Sequence, residues 1–81
     1  MSAAKAARAH VKALRELAEK AKEAREKVLE AKAKVMAGEE KEAIQELQEL
    51  AKLLMELEYG IRDQSIEANG LYHVIKERHQ D

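Results

Sequence analysis

Apolar residues recur along this chain at alternating steps of three and four. Ala3, Ala7, His10, Leu14, Leu17, Ala21, Ala24, Val28, Ala31 and Val35 form one series, with a single polar member. After Gly38 the rhythm resumes as Ala43, Leu47, Leu50, Leu54, Leu57 and Ile61, then Ala68, Leu71 and Ile75, with Gln64 as its polar member. Such spacing gathers side chains on one helical face and marks a helix-packing seam. It predicts an all-α protein, a single helical domain over residues 1–81.

Local signals divide the seam. Ser2 suits the N-cap of a first helix over about residues 2–36, and Gly38 suits the left-handed residue that stops it. Acids at 39, 40 and 42 suit the start of a second helix. So short a connection predicts antiparallel neighbours, with contacting residue numbers summing to about 75. Val28 then lies near Leu47, Ala21 near Leu54 and Leu14 near Ile61, small residues against large. Asn69-Gly70 is a stop signal, and Ile66 with Leu71 would be the apolar pair of a Schellman cap. The expectation is therefore a second helix over about 39–68 and a short third helix over about 71–80. A continuous second helix, or one broken at Gly60, is the alternative, since both glycines sit off the seam.

Helix 2 carries surplus apolar width from Leu47 to Leu57, more than one partner helix buries. A second copy of the chain would cover it, so a homodimer with Leu53 and Met55 at its interface is expected.

Composition narrows the function classes. Proline, tryptophan, phenylalanine and cysteine are absent, and 38% of residues are charged. This is the profile of long helices. Without cysteine there are no disulfides or thiolate metal sites. Two tyrosines make no base-stacking platform and little of a ligand pocket. No apolar run is long enough for a membrane span, and no secretory signal is recognisable at the N-terminus. No nucleic-acid, membrane or small-molecule partner is expected.

The net charge of −1 hides a polarity. Residues 1–36 hold ten Lys/Arg against five acids, and residues 37–81 hold five against eleven. The simplest reading is a basic helix lying against an acidic one. Within helix 1, Glu16–Lys20, Glu23–Lys27 and Glu30–Lys34 have the favourable i,i+4 order of a solvated face.

Candidate chemistry is sparse. His10 replaces an apolar seam residue and, by the antiparallel sum, faces Gln64 and Ser65. A hydrogen-bonded polar pair that sets register explains it better than a metal ligand or a base. His73 and Glu77 share a face, but two ligands close no metal site, and His79 points elsewhere. Ser2 and Ser65 are the only hydroxyl nucleophiles of their kind, and neither has a histidine partner implied by helical spacing. No catalytic, cofactor-binding or metal residue is assigned, and no cofactor is expected.

The segment AARAHVKALRELAEKAKEAREKVLEAKAKV resembles the output of computational helical-protein design, in which every local choice favours one structure. The whole chain is similar in style to de novo helical bundles. Residues 59–81, which hold two of the three glycines and both tyrosines, look like a borrowed native helix. The resemblance implies a designed scaffold with no natural biochemical activity. The rival expectation is a natural interaction module that holds a partner helix on its Leu53/Met55 face.

Overall fold

The computed structural model describes residues 2–78. It is a helical hairpin of two elements, α1 (Ala3–Met36) and α2 (Glu40–Arg78). They lie side by side as a rod measuring 66 × 16 × 15 Å.

The ends of α1 follow from local hydrogen bonding. The Ser2 side-chain oxygen accepts from the Lys5 backbone N–H at 3.1 Å, which satisfies one of the helix's free donors. At the other end, Gly38 has φ +79°, in the left-handed region. Its N–H donates to the Val35 carbonyl at 3.1 Å, and the Glu39 N–H donates to the Lys34 carbonyl at 2.8 Å. This pair of bonds is the Schellman motif. Glu40 and Glu42 then occupy the first turn of α2, against its dipole.

The expected third helix does not exist. α2 runs without interruption through Gly60 and Gly70 to Arg78, so residues 71–78 are its last turns; 79 and 80 lie outside the described residues. Gly38 is the only glycine with positive φ. The physical reason lies in phase. Continuing the helix keeps Leu71 in line with Ala43, Leu50, Leu57 and Gln64, and Leu71 borders a shared groove with Ala3 and Ala6 of α1. Leu71 is thereby half-buried on the inward row, which a break at Gly70 would forfeit, whereas one helical glycine costs about 1 kcal/mol.

The rows that face each other differ from the expected seam. The row 3, 10, 17, 24, 31 on α1 and the row 43, 50, 57, 64, 71 on α2 do turn inward. Their inward neighbours, however, are the residues three positions on. These are Ala6, Ala13, Lys20, Lys27 and Lys34 on α1, and Glu46, Leu53 and Gly60 on α2. The residues four positions on, which the sequence pattern places in the seam, are exposed: Leu14, Val28, Val35, Leu47, Leu54 and Ile61. At 100° per residue, the two neighbouring rows lie about 60° to one side and 40° to the other side of the inward row. In an antiparallel pair, like rows of both helices fall on the same flank. The hairpin therefore has a polar flank and an apolar flank. Its buried core is thin: Ala24, Ala31, Ala43 and Leu57.

Gly60 is part of this contact, contrary to its expected position off the seam. A Cβ there would meet the Leu17 side chain, so Leu17 packs over bare backbone. Gly70 has open space around the position of a Cβ. Three substitutions should therefore separate in urea melts. Gly70→Ala should stabilise by about 1 kcal/mol, because alanine is the better helix former in unobstructed space. Gly60→Ala should gain less than Gly70→Ala, or lose, because Leu17 must move. Gly38→Ala should cost about 1 kcal/mol or more, from left-handed strain. A destabilised Gly70→Ala would contradict the continuous helix.

Candidate functional site

The polar side chains that the fold brings together lie on the polar flank. Lys27 extends from α1 between two carboxylates of α2, with Nζ 3.2 Å from Glu46 and 2.7 Å from Glu49. Lys34, two turns on, reaches the other oxygen of Glu46 at 3.2 Å. Lys20 pairs with Glu56 at 3.1 Å. The i,i+4 pairs expected within α1 give way to these contacts: all three lysines reach across to the acidic helix. The sequence does carry the signal. Lys20, Lys27 and Lys34 repeat every seven residues, as do Glu42, Glu49 and Glu56. The result is a ladder in which Lys20 meets Glu56 and Lys27 meets Glu49 from these rows, while Lys34 turns to Glu46, three residues before Glu49.

Glu46 is the centre of the ladder, with a side chain only 13% exposed. Hydrogen bonds from Lys27, then from Lys34, hold its carboxyl down to about 2. The bonds to Glu49 and Glu46 in turn hold the Lys27 ammonium well above the ordinary lysine range.

Near the open end of the hairpin, His10 and Gln64 meet as the antiparallel sum requires. The His10 Nδ1 lies 2.7 Å from the Gln64 Oε1. An amide oxygen only accepts, so the imidazole N–H donates and the ring is oriented by this bond. Ser65, the other expected neighbour, is exposed. The pair sits where both inward rows are interrupted by a polar residue.

The remaining candidates do not converge. His73 and Glu77 are exposed, and His79 lies outside the described residues. Tyr72 packs edge-on to His73 with ring centroids 5.2 Å apart, and the Lys76 ammonium lies 5.7 Å from the centre of the Tyr72 ring. Among the described residues no three His, Cys, Asp or Glu side chains are grouped to hold a metal ion. Ser2 is engaged as the α1 cap. No described helix is long and apolar enough to cross a membrane.

An open groove of about 390 Å³ runs along the polar flank at the open end, between Ala3 and Ala6 on one side and Ile66, Gly70, Leu71 and Val74 on the other. Its polar lining is Ser2 and Glu67. A ligand site combines apolar walls with several converging polar groups, and this groove has the walls alone.

Two measurements test this account. Glu46 has a lowered folded carboxyl, so the stability it contributes is fully present above the ordinary value near 4.5 and is lost as pH falls toward 2. Melting temperature should decline across that window, and Glu46→Gln should flatten the decline. An unchanged acid limb in Glu46→Gln would remove Glu46 from the centre of the ladder. For the polar pair, His10→Leu or Gln64→Leu alone should cost about 1 kcal/mol by stranding the partner. The double substitution should recover most of that loss. Simple additivity of the two in a double-mutant cycle would mean that the bond contributes nothing.

Set beside known proteins, the chain matches no protein family, no curated protein and no solved structure.

Proposed function

We propose that this chain is a structural helical element of the designed-bundle kind, a scaffold with no catalysis and no cofactor of its own. One observation carries the reading. The polar side chains gathered between the helices are engaged in holding the hairpin: the lysines with Glu46, Glu49 and Glu56, and His10 with Gln64. A reactive site instead keeps a nucleophile, base or ligand set directed at open space. The local idealisation of α1 supports the same reading, with a fitted cap at each end and heptad charge rows throughout.

A second reading, an interaction module that receives a partner helix, is favoured by the uncovered apolar flank. The face it would use is the Leu47, Leu54 and Ile61 row, not Leu53 with Met55. Residues two apart on a helix point about 160° away from each other. Accordingly, Leu53 is half-buried in the hairpin, whereas Met55, 56% exposed, lies in the row of Arg62 and Lys76 at the outer edge of the apolar flank.

Thermal unfolding followed by circular dichroism distinguishes the two readings. An idealised scaffold is expected to melt above about 90 °C without any addition. Melting below about 60 °C, together with a rise when a partner is added, would favour the interaction module.

A further inference from the structure

The apolar flank is a large surface on a small protein. The hairpin exposes 6643 Å², roughly a third more than the ~4,900 Å² of an average folded chain of 9.2 kDa. Leu14, Val28 and Val35 on α1 and Leu47, Leu54 and Ile61 on α2 form its apolar flank, each between 45% and 59% exposed. They lie in matched layers: Leu14 beside Ile61, Ala21 beside Leu54, Val28 beside Leu47. Three open grooves run along the polar flank, around His10, Leu17 and Ala6, and none of the three is lined by these six residues.

The direction of the offset identifies what covers this flank. In both helices the apolar stripe is centred off the line joining α1 to α2, displaced toward the same side. A helix in an isolated pair needs its stripe on that line. A helix at the corner of a four-helix bundle needs it turned toward the bundle diagonal, about 45° away, between its two neighbours. The rows four residues on lie about 40° from the inward row, on the side of that diagonal.

We propose that the apolar flank seats against the same flank of a second copy of this chain, closing a four-helix bundle in which α1 of one copy lies over α2 of the other. A face of 66 × 16 Å offers about 1,000 Å² per copy, or roughly 2,000 Å² in all, which exceeds the area a stable interface needs. Charge selects between the two ways of stacking. Arg8, Arg15, Lys22, Arg25 and Lys32 line the outer edge of this flank on α1. With the two turns at opposite ends, α1 lies over α1 and these five cations face five more. With the turns at the same end, they face the α2 edge, where Glu58 partly offsets Arg62 and Lys76. Like charges in apposition disfavour the first arrangement, so the turns lie together.

The inference rests on the reading of the chain as a structural helical element. Its test is sedimentation equilibrium of the full chain across micromolar concentrations, combined with a spin label at Ala37→Cys; the sequence has no other cysteine. The expected result is a mass twice 9.2 kDa and a label separation below about 25 Å, set by neighbouring helices 8–10 Å apart plus the label arms. Leu54→Glu should reduce the mass to that of one chain at concentrations where the parent is dimeric. Tyr59→Glu, equally exposed but on the back of α2, should leave the dimer intact. The label distance, measured without a charge in the interface, decides the matter even if Leu54→Glu fails to fold. A dimer with labels separated by a distance near the 66 Å rod length would overturn the arrangement. A helical monomer at all concentrations, or one that loses its exposed flank only to anionic phospholipid vesicles, would overturn the dimer. A monomer melting above about 90 °C would do so while leaving the scaffold reading in place, and a dimer melting below about 60 °C would do the reverse.

Discussion

Lys27 stands between Glu46 and Glu49, and Lys34 takes the other oxygen of Glu46. These four side chains fix the rotation of each helix about its own axis, and the rest of the structure depends on that rotation. Once they meet, the row through Ala24 and Ala31 must face the row through Ala43 and Leu57, and the helices approach closely on small side chains. The same rotation carries Leu14, Val28, Leu47 and Leu54 out of the contact. Here the charged rows and the leucine rows lie on opposite flanks of the inward row, and a two-helix contact is too narrow to admit both.

Much of the fold is legible in the residues. The Ser2 cap, the left-handed Gly38, the acidic start of α2 and the antiparallel register that joins His10 to Gln64 all follow from local chemistry and spacing. What periodicity leaves undetermined is which side of a two-row stripe faces the partner. Rows 3, 10, 17 and 43, 50, 57 belong equally to the apolar pattern and to the charged one, so the stripe alone does not choose. The lysine and glutamate rows make the choice, and they are read only when charge is followed at the same period as hydrophobicity.

Asn69-Gly70 shows a different limit. As a dipeptide it is a stop signal, but stopping there would break the phase that brings Leu71 to Ala3 and Ala6. The phase of the inward row, which leaves Leu71 half-buried, prevails over a local stop preference of about 1 kcal/mol. Gly60 carries the complementary lesson. In the sequence it looks like a weak point in a long helix, yet it provides the hollow that Leu17 fills. The candidate site is legible at its histidine and in the opposite charges of the two helices, while which lysine meets which glutamate is fixed only when the second helix lies beside the first.

The turn at Gly38 also sets an order of events in time. Lys34 and Glu46 are 12 residues apart in the chain, and His10 and Gln64 are 54 apart. Closing the larger loop directly from the unfolded chain costs about 1.3 kcal/mol more in chain entropy. The hairpin therefore nucleates beside its turn, where the ion pairs are densest, and zips toward the open end. There the imidazole–amide bond, the outermost of the cross-helix hydrogen bonds described, is the last of them to fasten and the first to release.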